Sequence, residues 1–217
     1  LMNSLNKLNN HVIICGFGRN GQQAARTLGL HNHQFVVIEK RHELVPKMGE
    51  EHNHVLFIHG DATDDDVLKK AGIDRASALI SSLPVDADNV FIVLSARSLN
   101  NKIRIISRAS EQSSAQKLKK AGADHVIMPD RIGGTHMATL VSKPDVIEFI
   151  DYISGEEGES IHIESVDYQQ LPAPLHDCSL REIMDWKKTG VNCIGVRNGE
   201  GKFQINPPDE LQIKSGM

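Results

Sequence analysis

The segment from His11 to Gly21 reads HVIICGFGRNG. Its first half is a short β-branched apolar run, which is typical of a strand buried on both faces. Its second half has the spacing GxGxxG, which joins a strand to a helix in dinucleotide-binding folds. Gly16 permits a tight turn, Gly18 lets backbone N–H groups approach a pyrophosphate, and Gly21 lets the helix pack close to the strand. The segment therefore predicts a strand, a phosphate-binding turn and a helix, in this order.

Short apolar runs and helix-like segments continue to alternate over the next hundred or so residues. The predicted strands are 11–15, 34–38, 55–58, 78–81, 103–107 and 125–128. The predicted helices are 21–30, 42–50, 64–71, 88–99 and 113–121. Alternation of this kind predicts the α/β class, with a doubly wound parallel sheet of the Rossmann type.

The pattern changes in the last third of the chain. A longer helical pattern covers 133–153 with an interruption near Pro144, and a polar, glycine-rich linker follows at 154–160. Beyond it we predict a strand at 161–166, a helix at 180–186, and a hairpin in which Asn198–Gly201 joins 193–197 to 203–205. The predicted domains are a nucleotide-binding domain at 1–132, a dimerising helix and linker at 133–158, and a small α+β lobe at 159–217. This last lobe is expected to lack its final strand.

Composition narrows the class of protein. Of 217 residues, 40% are hydrophobic and 24% are charged, as in soluble globular proteins. The net charge of −4 argues against a nucleic-acid partner, which requires excess Lys and Arg. No apolar run approaches the ~20 residues of a membrane-spanning helix. Three scattered cysteines do not make a disulfide framework, so a reduced cytosol is expected. Because Leu1 precedes Met2, the chain is expected to be a fragment, with a cloning scar as the alternative.

Glu39 closes the second predicted strand, about 20 residues beyond the glycine turn, where dinucleotide-binding folds place a ribose-binding acid. A carboxylate there can accept hydrogen bonds from both ribose hydroxyls of an adenosine and would repel a 2′-phosphate. NAD or a free adenine nucleotide is therefore favoured over NADP. Lys40 and Arg41 weaken this exclusion.

Gly60-Asp61-Ala62-Thr63 closes the third strand, at the sheet edge where ligands of open α/β folds bind. Asp61 could accept a hydrogen bond from the adenine amino group. The alternative is that Asp61 caps the next helix, a role for which Thr63 or Asp64 is equally suited.

Nearly the whole chain resembles the RCK (regulator of K⁺ conductance) or TrkA-type domains. The resemblance is carried by LMNSLNKLNNHVIICGFGRNG, GDATDDDVLKKAGID, KIRIISRASEQSSAQKLKKAGADHVIMP and INPPDELQIKSG. It implies tight homodimers that assemble into a ring, usually of eight, on the cytoplasmic face of the cell membrane. Nucleotides or ions bound to the ring would pull on a membrane-embedded potassium pore, either covalently fused or a separate subunit.

The resemblance adds two residues to the candidate site. Arg108, at the carboxyl end of the fifth strand, matches a basic residue that faces ligand phosphates, and Ser82 follows the fourth strand. The candidate nucleotide-binding residues are Gly16, Phe17, Gly18, Arg19, Asn20, Gly21, Glu39, Lys40, Asp61, Ala62, Thr63, Ser82 and Arg108.

Metal and catalytic sites are not expected. A calcium-gated member binds its ion with acids at positions that match Ser82, Arg108 and Ser110, and a cation there would repel calcium. The pairs His31/His33 and His52/His54 have no cysteine or carboxylate cluster beside them. We therefore expect a regulatory domain that gates a potassium channel or transporter by binding NAD(H), AMP, ADP or ATP, and not an enzyme. The alternative is an NAD-dependent oxidoreductase, for which His162 and His176 are the available acid–base groups.

Overall fold

A computed structural model describes Leu5 and residues 7–41, 55–145, 165–184 and 190–216. Within these residues the chain divides into two compact units, Leu1–Ser142 and Lys143–Met217. No helix in the described ranges has both the length and the apolar character needed to cross a membrane. The predicted domain boundaries at 132/133 and 158/159 stay predictions, and the second lies outside the described residues.

The first unit contains a six-stranded parallel sheet, as predicted. Its strands are β1 (Val12–Cys15), β2 (Phe35–Glu39), β3 (Leu56–His59), β4 (Ala78–Ser81), β5 (Arg104–Arg108) and β6 (His125–Ile127). Their spatial order is β3-β2-β1-β4-β5-β6. This is the order of the doubly wound dinucleotide-binding fold, so the predicted fold class is confirmed.

Five helices connect or follow the strands of this unit in the described residues. They are α1 (Arg19–Leu30), α2 (Asp65–Lys70), α3 (Asp86–Leu99), α4 (Gln112–Ala121) and α5 (Pro129–Ser142). Four match predicted helices to within about two residues, and the predicted helix at 42–50 lies outside the described residues. The fifth begins with a proline at its first position, where no N–H is needed, and ends shortly before Pro144.

β1 explains why the sheet needs helices on both faces. Its four residues are all buried. Ile13 and Cys15 belong to one hydrophobic cluster, and Val12 and Ile14 belong to another. Because successive side chains of a strand point to opposite faces, one short apolar run joins two separate cores.

His11, directly before β1, is completely buried. Its Nε2 lies 2.8 Å from the carbonyl oxygen of Ala71, which can only accept, so Nε2 carries the proton. Its Nδ1 is buried with no hydrogen-bond partner. Burial lowers the pKa of His11, and the hydrogen bond to Ala71 only partly offsets this effect.

The second unit contains a short helix and a hairpin. In α6 (Leu180–Ile183), Ser179 and Glu182 form a reciprocal capping box. β7 (Gly195–Arg197) and β8 (Phe203–Ile205) pair antiparallel around the predicted turn, so the hairpin is confirmed. Residues 165–166, the end of the predicted strand, have no regular structure. The rest of that strand, and residues 185–186 of the predicted helix, lie outside the described residues.

The buried His11 predicts a pH dependence of stability. Its pKa in the folded protein lies below the unfolded value of about 6.5, so the unfolded chain binds more protons between the two values. The free energy of unfolding should therefore fall as the pH drops below about 6.5. Urea unfolding of wild type and His11→Gln at pH 7.5 and 5.5 would measure it, with a smaller fall expected in the variant. His33→Gln removes an exposed histidine and is the control, so its free energy of unfolding should fall as much as that of the wild type. An equal fall in the wild type and in His11→Gln would contradict this assignment.

Candidate functional site

The predicted site residues meet at one edge of the sheet. The parallel register pairs Cys15 of β1 with Ile38 of β2 and with Ser81 of β4. The turn after β1, the end of β2 and the loop after β4 therefore lie side by side. β1 is also where the chain order reverses, since β2 and β4 flank it. In open α/β sheets this reversal creates a crevice at the carboxyl ends of the strands.

The three glycines of the motif differ in whether, and why, the fold requires glycine at their positions. Gly16 has a φ of +91°, in the left-handed region that favours glycine. A Cβ on Gly21 would collide with the carbonyl oxygen of Gly16, so only glycine lets α1 approach the turn this closely. A Cβ on Gly18 would meet nothing within 4 Å, so the fold itself does not require glycine there. The open space at Gly18 leaves room for a ligand.

The amino terminus of α1 is suited to an anion. Gly18 is its N-cap residue and has no side chain to bond the first N–H groups, and the first turn contains no acid. Arg19 and Asn20 in that turn are exposed. In α2, by contrast, the side chain of Asp64 accepts the N–H of Asp66. Backbone N–H groups and the helix dipole at the start of α1 can therefore bind phosphate.

Glu39 connects β2 to the glycine turn. Its side chain is only 6% exposed. Oε2 accepts the N–H of Phe17 at 2.7 Å, and Oε1 accepts the N–H of Arg41 at 2.9 Å and its Nε at 3.0 Å. Burial raises the pKa of this carboxyl, but the hydrogen bonds from Arg41 and Phe17 together outweigh it and lower the pKa. Glu39 is therefore an ionised acceptor at neutral pH, in contact with the turn.

Asp61 lies after β3 and is not the cap of α2, because Asp64 fills that role. Oδ2 of Asp61 pairs with Nζ of Lys40 at 2.7 Å, and Oδ1 accepts the N–H and the hydroxyl of Thr63 at 3.0 and 2.7 Å. The hydrogen bonds from Lys40 and Thr63 lower the pKa of Asp61 to about 2. The neighbouring Ala62 is 4% exposed and packs in the core, so it can offer a ligand only its backbone.

Ser82 supports the glycine turn from the β4 side. It is 9% exposed. Its hydroxyl lies 3.0 Å from the carbonyl oxygen of Cys15 and 3.1 Å from that of Gly16, to either of which it can donate. The side chain that the sequence suggested as a ligand contact is thus already bonded to the turn, and its contact with a ligand stays a prediction.

Asn89 organises the same edge and was not singled out from the sequence. It is completely buried in α3. Its Oδ1 accepts the hydroxyl of Ser81 at 2.6 Å and the N–H of Leu83 at 3.1 Å. Its Nδ2 donates to the carbonyl oxygens of Leu83 and Arg108, at 2.9 and 3.3 Å. The signal that could have revealed it is a lone amide among the apolar residues of an otherwise buried helix face.

Arg108 lies at the end of β5 and turns toward the loop after β4. Its Nη1 donates to the carbonyl oxygens of Leu83 and Pro84, both at 3.2 Å. Its Nη2 lies 3.6 Å from Oδ2 of Asp130 in α5. This places a half-buried guanidinium beside the crevice.

The three positions matched to a calcium site have other partners. Ser82 bonds the turn, Arg108 is a cation, and the N–H of Ser110 donates to the carboxylate of Asp86 at 2.9 Å. Over the described ranges, no group of three or more His, Cys, Asp or Glu side chains is arranged to hold a metal ion. His31 and His33 are exposed, and the pair His52/His54 lies outside the described residues.

A six-stranded parallel sheet in this order, with a glycine turn opening a helix and an ionised acid beside it, defines a Rossmann-type nucleotide-binding domain. The TrkA-N domain family model matches residues 12–129, and the chain belongs to this family. It is 39% identical over 213 residues to potassium channel protein 1 of Methanocaldococcus jannaschii, covering 97% of this chain and 62% of that protein. The chain thus spans less than two thirds of this relative.

Solved structures of GsuK agree with this assignment. Its RCK domain is 27% identical with a TM-score of 0.56, over 96% of this chain and 43% of that chain. The GsuK channel bound to NAD is 26% identical with a TM-score of 0.55, over 96% and 35% of the two chains. GsuK bound to ADP is 28% identical with a TM-score of 0.57, over 62% and 35%. The resemblance to RCK and TrkA-type domains is confirmed.

The surroundings of Gly21 and Gly18 predict effects of different size on the free energy of unfolding when each is replaced by alanine. Gly21→Ala should lower the free energy of unfolding by about 1–3 kcal/mol, because its Cβ collides with the Gly16 carbonyl. Gly18→Ala should lower it by no more than about 0.5–1 kcal/mol, because its Cβ enters open space and only the N-cap preference for glycine over alanine is lost. Denaturant unfolding of both variants measures the difference. Equal stability of the two variants would contradict the described packing of α1 on β1.

Proposed function

We propose that this chain is the ligand-sensing regulatory domain of a potassium channel or transporter, and that it binds an adenine nucleotide at the crevice above β1. The observation that carries the proposal is the ionised Glu39, bonded to the N–H of Phe17 within the glycine turn that opens α1. Acid, turn and helix terminus recur together in dinucleotide-binding folds. Two relatives support it: one is a potassium channel protein, and GsuK has structures with NAD and with ADP.

Each part of the nucleotide has a candidate partner. The phosphates would take the open N–H groups at the start of α1, where Arg19 and Asn20 also lie. The ribose hydroxyls would donate to Glu39 in competition with Arg41, which now occupies both of its oxygens. An adenine amino group could donate to Asp61. NAD(H), AMP, ADP and ATP all fit this scheme, and a 2′-phosphate would be repelled by Glu39.

A regulatory role is proposed over a catalytic one. A dehydrogenase needs an acid–base group beside the nicotinamide. Of the two histidines considered, His162 lies outside the described residues. His176 bonds the carbonyl oxygen of Leu171 at 2.9 Å, and its ring stacks on Tyr168 with centroids 4.4 Å apart. These contacts give His176 a structural role in the second unit.

Assembly is the proposed link from nucleotide to pore. Helix α5 has no buried residue along its 14 positions. Ile132, Met137, Leu140 and Val141 are between 44% and 88% exposed. Beside it, α4 and α5 border a groove of about 590 Å³ with Val126 and Met128 in its lining. An exposed apolar stretch of this kind usually marks an interface.

We propose that a second copy covers the exposed apolar residues of α5 in a homodimer, that dimers build an octameric ring, and that the ring acts on a potassium pore at the cytoplasmic face of the membrane. The sequence of the predicted dimerising helix contains further apolar residues, Val146, Ile147, Phe149, Ile150 and Ile153, which lie outside the described residues.

The first test of the proposal is the loss of affinity in Glu39→Gln. Glutamine keeps an acceptor for Phe17 but loses the charge that would bond the ribose hydroxyls. The Kd for NADH and ADP should rise at least about 10-fold. Calorimetry measures it, with Glu200→Gln in the β7–β8 turn as a charge-matched control that should leave Kd unchanged.

Two outcomes would contradict the proposal. One is equal affinity of wild type and Glu39→Gln for every nucleotide tested. The other is steady NADH consumption that disappears in His176→Ala, which would favour the oxidoreductase.

The second test concerns the dimer. Met137→Asp combined with Val141→Asp should convert dimers to folded monomers, because two carboxylates would be buried in the interface. Sedimentation velocity at tens of micromolar measures the state. Leu30→Asp, at the 76% exposed end of α1, is the control and should remain dimeric. A monomeric wild type at this concentration would overturn the proposed interface.

A further inference from the structure

The side chain of Arg108 has two kinds of partner on its two sides. Its Nη1 is held by the carbonyl oxygens of Leu83 and Pro84 at 3.2 Å. Its Nη2 faces the carboxylate of Asp130 at 3.6 Å. The Arg108 side chain is 17% exposed and that of Asp130 is 80% exposed. One side of the guanidinium is thus fixed to backbone, and the other is paired loosely with an exposed acid.

The fixed side of Arg108 touches the wall of the nucleotide crevice. A Cβ on Gly16 would lie 2.8 Å from Cδ2 of Leu83 and 3.6 Å from its backbone nitrogen. Leu83 therefore packs directly on the glycine turn. The side chain of Asn89 bonds both backbone groups of Leu83 and the carbonyl oxygen of Arg108. The guanidinium is consequently held next to the place where phosphates are proposed to bind.

Nη2 of Arg108, which is paired only weakly, is the atom to which a ligand can bind. An exposed ion pair is weak, whereas a guanidinium binds phosphate with paired, charge-assisted hydrogen bonds. Asp130 belongs to the first turn of α5. The sheet keeps the two elements together, since Arg108 pairs with Ile127 of β6. A phosphate that reaches Nη2 must displace Asp130 from Arg108.

We infer that Asp130 is a specificity-determining residue that competes with nucleotide phosphates for Arg108. The inference rests on the proposed nucleotide site. The single phosphate of AMP is held by the start of α1, and the added phosphates of ADP and ATP extend to Nη2 of Arg108. Asp130 thereby weakens the binding of di- and triphosphates relative to AMP. Binding of the longer nucleotides also releases the first turn of α5 from β5.

Asp130→Asn tests this inference in the 217-residue chain. The Kd for ADP and ATP should fall about 2- to 5-fold, the range expected for an exposed ion pair, and the Kd for AMP should fall less than about 2-fold. Calorimetry with the three nucleotides measures the ratios. Asp74→Asn is the matched control. It also removes an exposed acid that is paired with an arginine, Arg75, but this pair lies in the turn before the amino end of β4, opposite to the crevice. It should change none of the three.

The Arg108→Gln background separates competition from simple repulsion. There Asp130→Asn should have no further effect, because its target is gone. Arg108→Met, which also removes the charge but keeps an unbranched side chain, replaces Arg108→Gln should the latter lower the melting temperature. A gain in ATP affinity that persists without Arg108 would overturn the inference.

The remaining outcomes separate the inference from the proposed site. Unchanged ATP-to-AMP preference in Asp130→Asn, with binding still dependent on Glu39, overturns the inference alone. Failure of the wild type to bind any of the three nucleotides overturns the inference, and failure to bind NADH as well overturns both.

Discussion

The close approach of α1 to β1 is the constraint on which the site depends. Gly21 packs against the carbonyl oxygen of Gly16, and no larger residue fits there. This contact aims the start of α1 at the crevice and forces the turn into a left-handed conformation at Gly16. Ser82 then bonds the turn from one side and Glu39 from the other. The geometry of the proposed phosphate site is therefore built into the packing of the first βα unit.

Charges around the crevice are already paired in the free protein. Glu39 pairs with Arg41, Asp61 with Lys40, and Arg108 with Asp130. A nucleotide bound here would exchange protein partners for ligand groups, and the exchanges would free Lys40 and Arg41 after β2 and Asp130 in α5. Such exchanges would give the ligand different contacts in two conformations of the protein, which a population shift requires. A site of this kind would suit a sensor, since binding would alter the connections between β2, β3, β5 and α5.

Most of the sheet could be predicted from the sequence, because strands buried on both faces give short apolar runs that are hard to misread. The motif Gly16–Gly21 and Glu39 also revealed the crevice, since their roles depend on local geometry. The partners of Ser82 and Asn89 could not be predicted. Their hydrogen bonds join segments that are distant in sequence, and nothing in the local pattern shows which backbone groups a buried hydroxyl or amide will meet. From the sequence, Asp61 is either a ligand contact or the cap of α2. The observed cap at Asp64 excludes the second role.

Hydrogen exchange of the chain with and without saturating ADP or NADH tests the central claim most directly. Slower exchange is expected for the backbone amides of the glycine turn and the first turn of α1, at residues 16–22, and for those of Ser82 and Leu83. These N–H groups lie at the crevice where the phosphates are proposed to bind. Protection confined to the groove between α4 and α5, or no protection at any nucleotide concentration, would contradict it.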